Sequence, residues 1–366
     1  MGFNCGIVGL PNVGKSTLFN ALTATAAAEA ANFPFCTIEP NTGRVAVPDE
    51  RLRKLSAIAG SARTVPTQLE FIDIAGLVRG ASKGEGLGNR FLANIHEVDA
   101  ICHVLRCFED ENITHVEGGI DPIRDAETVE TELMLADLES LEKRVRPLTK
   151  KIRGGDKDAK KILDLVERGL ALLKEGKPAR MVEIEDDERK LFGMLRLLTA
   201  KPILYICNVD EDSAAGGNQF SSKVAEMAKA QEAETAVISV KIEEEVAQLE
   251  SEDEKREFLE TLGLEETGLA RVVRAGYKIL DLITFFTAGP KETRAWTIQD
   301  GALAPQAAGV IHTDFERGFI RAETTAYDDY VSLGGEQGAR DSGKLRQEGK
   351  DYKVQDGDVM LFKFNV

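Results

Sequence analysis

No apolar run in the 366 residues approaches the roughly 20 needed to span a bilayer, so no membrane helix is expected. Met1-Gly2-Phe3-Asn4-Cys5 lacks the basic stretch followed by an apolar one that marks a secretory signal, so none is expected. Gly2 invites a myristoylation reading, but Leu10 and Pro11 follow at once inside a functional loop, which argues against it. Cysteine is sparse: five residues, at 5, 36, 102, 107 and 207, with no C-x-x-C pair. Cys5, Cys102 and Cys207 fall in apolar runs, which reads as reduced, buried thiols of a cytoplasmic protein without a zinc site. Positive charge is short as well. A net charge of −16 argues against non-specific nucleic-acid binding by the whole surface, while leaving room for a local basic patch. Histidine is the scarcest of the catalytic residue types, with four copies.

What is present is ordinary for a folded protein of two or three domains, at 43% hydrophobic and 30% charged residues. Cys5-Gly6-Ile7-Val8, Leu69-Glu70-Phe71-Ile72, Ile101 to Leu105, Ile203 to Cys207 and Val237 to Val240 read as strands. Continuous apolar runs separated by helical stretches imply a mostly parallel sheet covered on both faces, the α/β nucleotide-binding class.

The middle of the chain is different. Met134, Leu138, Leu141, Val145, Leu148 and Ile152 recur at spacings of 4, 3, 4, 3 and 4. After Gly154-Gly155-Asp156 a second series follows at Ala159, Leu163, Val166, Leu170 and Leu173. Two heptad arms around such a turn predict an antiparallel coiled-coil hairpin. Its tip carries Arg144, Arg146, Lys150, Lys151, Arg153, Lys157, Lys160 and Lys161 against Asp156 and Asp158. Two readings stand for this cluster: a solvated coiled-coil surface, or a contact with RNA or a ribosome. From about residue 282 short alternating segments with Gly/Asp turns predict a small sheet-rich domain. The boundaries expected are 1–281 for the nucleotide-binding domain, 125–200 for a helical insertion within it, and 282–366 for the last domain.

Gly9-Leu10-Pro11-Asn12-Val13-Gly14-Lys15-Ser16 fits G-x-x-x-x-G-K-[ST], preceded by a strand and followed by a helix. Glycines let backbone N–H groups close around phosphates, Lys15 reaches the β- and γ-phosphates, and Ser16 ligates Mg²⁺. Asp73-Ile74-Ala75-Gly76 follows the next strand. Asp73 would hold Mg²⁺ through water, and the Gly76 N–H would bond the γ-phosphate. Between the two motifs, Thr37 is the best hydroxyl to complete the Mg²⁺ shell, the alternative being a threonine in an ordinary loop.

Guanine-specific hydrolases carry N-K-x-D after the fifth strand. Here the sequence is Asn208-Val209-Asp210-Glu211, with neither the lysine nor the aspartate in place. Guanine without its carboxylate partner keeps unsatisfied donors, and adenine lacks both of them. Asn208 or nearby backbone carbonyls would instead accept from the adenine 6-amino group, so ATP is the expected nucleotide. The counter-reading is that Asp210 slips one place and rescues guanine. The nucleotide-contacting set expected is Asn12, Val13, Gly14, Lys15, Ser16, Thr17, Asn208, Val209, Glu211 and Ser239. Leu77 stands where Ras-like enzymes keep the water-orienting glutamine. Of the four histidines, His115 lies in the loop Phe108 to Ile120 at the ligand-bearing edge of the sheet. It is the candidate for orienting water, beside the plain reading of an exposed loop histidine. The catalytic set expected is His115, Lys15 and Gly76.

Together these features resemble the YchF branch of the Obg-related P-loop proteins, the Obg-like ATPases, over essentially the whole chain. The similarity includes Gly9 to Thr17, Asn32 to Asn41, Asp73 to Leu87, Asn208 with Glu211, and Ala304 to Arg317. It implies an Obg-type P-loop domain with an inserted coiled-coil hairpin and a C-terminal TGS domain of β-grasp fold. It also implies slow Mg²⁺-dependent ATP hydrolysis and association with ribosomes or ribosomal subunits in the cytoplasm. It further implies Leu77 as the hydrophobic replacement of glutamine, His115 as the catalytic-loop histidine and Asn12 as a K⁺ ligand. Three functions follow in order of fit: an ATPase switch on ribosomes, a nucleotide-sensing binding protein with incidental turnover, and an Obg-type GTPase.

Overall fold

The computed structural model describes residues 3–30, 41–74, 87–110, 119–249 and 251–365. The chain divides into two compact units, the larger from Phe3–Arg44 and Glu70–Ile279, the smaller from Val45–Leu69 and Leu280–Val366. In chain order the strands are β1 (Asn4–Val8), β2 (Thr42–Ala46), β3 (Thr64–Val65), β4 (Gln68–Asp73), β5 (Ala100–Arg106), β6 (Ile203–Asn208), β7 (Glu234–Ile238), β8 (Leu282–Thr287), β9 (Thr293–Gln299), β10 (Phe319–Thr325), β11 (Arg346–Glu348) and β12 (Val359–Phe364). The helices used below are α1 (Lys15–Ala30), α2 (Glu50–Ala59), α3 (Leu87–Glu97), α4 (Pro122–Arg153) and α5 (Lys157–Lys174). No helix among the described residues is long and apolar enough to cross a membrane.

The first sheet has the order β2-β4-β1-β5-β6-β7. The pairs β1/β4, β1/β5, β5/β6 and β6/β7 are all parallel. Every residue of β5 and β6 is buried, as expected of central parallel strands covered on both faces. β1 lies between β4 and β5, so the chain crosses from one side of it to the other at a switch point, where α/β sheets bind ligands.

The heptad residues do what their spacing requires. All eleven fall in one cluster, with Leu141, Leu148, Ala159, Val166, Leu170 and Leu173 buried between α4 and α5. The helices approach closely at Gly169, where an added Cβ would lie 3.0 Å from Leu141 Cδ1. The turn holds because Gly155 adopts φ +89° and the Asp156 carboxylate accepts the Ala159 N–H at 3.0 Å. At the tip Lys150, Lys151, Arg153, Lys157 and Lys160 are exposed, but Lys161 is paired with Asp187 at 3.1 Å.

In the smaller unit the sheet order is β11-β10-β12-β8-β9-β3. β8 is antiparallel to β9 and parallel to β12, and the helix Ala304–Ile311 covers one face through Ala304, Ala307 and Ala308. That is the β-grasp arrangement. The segment 45–69, placed by sequence in the nucleotide-binding domain, groups with this unit. Its α2 packs Leu52 and Leu55 against Phe286 and Tyr330, and β3 pairs in parallel with β9.

Candidate nucleotide site

The loop between β1 and α1 is shaped by two backbone demands. Gly14 adopts φ +93°, and a Cβ there would lie 2.4 Å from Asn208 Nδ2, so only glycine fits. Asn12 adopts φ +63°, which asparagine tolerates better than most residues. α1 begins at Lys15 with no acidic residue in its first turn, so no side chain of the helix itself offsets the positive end of its dipole. Leu18 N–H makes the first helical bond to Gly14 O at 2.9 Å.

Lys15 and Asp73, 58 residues apart, form a direct ion pair at this loop, with side chains 12% and 20% exposed. The ammonium expected at the β- and γ-phosphates and the carboxylate expected at Mg²⁺ therefore share one spot. Ser16 is exposed beside them. No cluster of three or more His, Cys, Asp or Glu able to hold a metal occurs among the described residues. This donor set suits a hard cation that takes part of its shell from phosphate oxygens and water. Ser16 and Asp73 fit Mg²⁺ in that sense. Thr37, Gly76, Leu77 and His115 lie outside the described residues.

Asn208 is 5% exposed and ties two loops together. Its amide donates from Nδ2 to Val13 O at 3.0 Å, and its Oδ1 accepts the Val240 N–H at 3.1 Å. The side chain is thus occupied in holding the phosphate loop against the turn at Ser239. Of the two adenine acceptors expected from sequence, this geometry favours the backbone carbonyls. Val13 and Val209 are buried at 1% and 3% exposure, so neither offers a side chain to a ligand. The Ser239 hydroxyl is buried with no partner among the described residues.

Two residues here carry no motif signal. The Lys241 ammonium pairs with Glu211, holding the carboxyl below its usual range and raising its own. Arg106, at the end of β5, is 2% exposed. Its guanidinium lies 4.7 Å from the Phe108 ring and donates to Phe108 O at 3.2 Å and Asp110 O at 3.1 Å. It shapes the start of the loop that leads to His115.

Two family models match the chain. One, described as 50S ribosome-binding GTPase, covers residues 4–142. The YchF-GTPase C-terminal model, described as a protein of unknown function, covers 282–365. The Ribosome-binding ATPase YchF of Pasteurella multocida is 58% identical over 100% of both chains. That of Bacillus subtilis is 55% identical, again over 100% of both. The solved structure of the Schizosaccharomyces pombe YchF GTPase has a TM-score of 0.89 at 38% identity, covering 99% of this chain and 98% of its own.

Proposed function

The chain belongs to the YchF family, and from that premise we propose that it is a Mg²⁺-dependent ATPase whose nucleotide state controls docking on ribosomes in the cytoplasm. The observation that carries the hydrolase reading is the Lys15–Asp73 pair at a glycine-shaped loop ahead of a helix N-terminus.

The backbone N–H groups of Gly14, Lys15 and Ser16 receive the phosphates, with Asn208 fixing the loop through the Val13 carbonyl. Lys15 exchanges Asp73 for the β- and γ-oxygens, a charge-assisted contact that grows as negative charge builds up during transfer. Ser16, Thr37 and Asp73 would hold Mg²⁺, which supplies charge neutralisation across the phosphates. The Gly76 N–H contacts the γ-phosphate, and His115 orients the attacking water, since Leu77 offers no polar group. Asn12 is assigned to K⁺.

Adenine preference rests on Val209 and Glu211 in place of Lys and Asp. The Lys241 pairing supports it, because a carboxylate already held by an ammonium is a poor acceptor for guanine. The Schizosaccharomyces pombe neighbour is called a GTPase, so the choice of base calls for a direct test. Titration with ATP and GTP side by side, with Mg²⁺ and K⁺, should give tighter binding of ATP. Equal or reversed affinities would sink the assignment. The competing reading, a nucleotide-sensing binder with incidental turnover, is favoured by the leucine at position 77.

A further inference from the structure

The larger unit contains a cavity of about 630 Å³ away from the phosphate loop. Its walls come from the end of α3 and the turn that follows (His96, Asp99), the stretch before β6 (Arg196, Lys201) and the return of the insertion (Arg180, Phe192). Asp99 and Lys201 immediately precede the parallel strands β5 and β6, so the cavity lies at their amino edge. The phosphate loop leaves the carboxyl end of β1, at the opposite edge.

The charges around it do not balance. His96, Arg180, Arg189, Arg196 and Lys201 line it, against the carboxylates Glu97 and Asp99. Two of the cations are already committed: Arg180 to Glu130 at 2.6 Å and Arg189 to Asp186 at 3.0 Å. Asp99 accepts the Asn4 N–H at 3.0 Å. Lys201 donates to the carbonyl oxygens of His96 and Val98, closing the last turn of α3 without meeting a carboxylate. Arg196 has no ion pair with any described residue. His96 is held below its usual pKa by burial and by Lys201 and Arg196, with Asp137 opposing. Lys201 is lowered by burial and Arg196, with Asp99 and Asp137 opposing. Cations that suppress one another in this way define a positive potential that an anion would relieve.

The backbone is built to keep Arg196 where it is. Arg196 adopts φ +51°, the left-handed region that L residues avoid. The segment just after it is clamped by Asp137, a 2% exposed carboxylate of α4. Asp137 accepts the N–H groups of Leu198 and Thr199, each at 2.8 Å, and the Thr199 hydroxyl at 2.6 Å. Val182, Ile184 and Phe192 also line the cavity, Val182 and Phe192 as outer members of the core between α4 and α5.

We propose that this cavity binds a phosphate-bearing anion of nucleotide size, with Arg196, His96 and Lys201 meeting phosphate oxygens and the Val182–Ile184–Phe192 wall meeting an apolar ring. The volume lies within the range of about 300–1,000 Å³ usual for small-molecule sites. The site is independent of the triphosphate at the phosphate loop.

The test is calorimetric titration of the full chain with pyrophosphate and with a nucleoside 3′,5′-bisphosphate, after saturation with Mg·ADP to fill the phosphate loop. Lys15→Ala protein gives the same test with that loop disabled. One site is expected in both forms, with the bisphosphate bound at least about tenfold tighter than pyrophosphate because of the apolar wall. At pH 6 binding to the native protein should take up a larger fraction of a proton than binding to His96→Asn, read from the heats in two buffers. His96→Asn should weaken it severalfold. Arg196→Gly should abolish it while raising the unfolding temperature, because glycine relieves the backbone strain; a purely structural Arg196 would not couple those two changes. Absence of binding in both protein forms, or unchanged affinity in both variants, overturns the site. Equal affinity for the two probes overturns the apolar wall.

Discussion

At the scale of single residues, the tightest demands fall where backbones approach one another. Gly14 and Asn208 are 194 positions apart by their numbering yet leave no room for a methyl group between them. The motif made both visible in the sequence, but the contact that explains them was not visible there. Lys241 and Arg106 carry no motif at all: their roles exist only because β5, β6 and β7 are brought side by side. His115 is assigned to the attacking water, so His115→Ala should lower turnover by about 10²-fold or more and leave nucleotide affinity nearly unchanged. Unchanged turnover, or a simple loss of ATP binding, removes it from the mechanism.

His103 gives a second residue-scale test. It is fully buried in β5 with neither ring nitrogen partnered among the described residues, and burial pushes its pKa down to about 3. The unfolded chain binds a proton near the ordinary value of about 6.5, and the folded chain does not. This residue's contribution is therefore intact above that pH and is lost as pH falls towards 3, at about 1.4 kcal/mol per pH unit. Denaturant unfolding between pH 7 and 4 should show this slope in the native protein and a shallower one in His103→Phe. Identical slopes would remove His103 as its source.

At the scale of elements, legibility follows the range of the interactions. The coiled-coil arms are written in a local period of 3.5 residues, and all their marked residues pack together as that period requires. The central strands are likewise legible as apolar runs. The segment 45–69 is not. Its α2 and β3 look like any helix and short strand until Phe286, Tyr330 and the β9 edge, more than 200 residues on, are brought to them. The tip of the arm is legible as charge but not as pairing, since the Lys161–Asp187 contact draws on the returning chain. Lys150, Lys151 and Arg153 remain exposed cations, with Arg146, Lys150 and Arg153 around a hollow at Pro147. Reversing Lys150, Lys151 and Arg153 to Glu should reduce co-sedimentation with ribosomes and leave ATP hydrolysis in isolation unchanged. The native contact should weaken steeply with salt, as phosphate contacts release counterions. Binding that survives both salt and reversal would make the arm a structural insertion and leave the β-grasp unit as the docking surface.

At the scale of the whole molecule, a chain of net charge −16 carries local clusters of cations at the arm tip and at the amino edge of the first sheet. The acidic remainder repels nucleic acid, which gives direction to any encounter with a large RNA–protein particle. With leucine in place of the usual glutamine, the isolated protein is expected to hydrolyse ATP slowly. A switch held slow in isolation and released by its partner differs from a nucleotide sensor in one observable. That observable is the ATP turnover rate of the same protein with and without ribosomes at saturating Mg·ATP. A control of ribosomes with Lys15→Ala protein removes background hydrolysis. Docking should raise the rate at least about tenfold, whereas an unchanged rate with ribosomes demonstrably bound would contradict the switch.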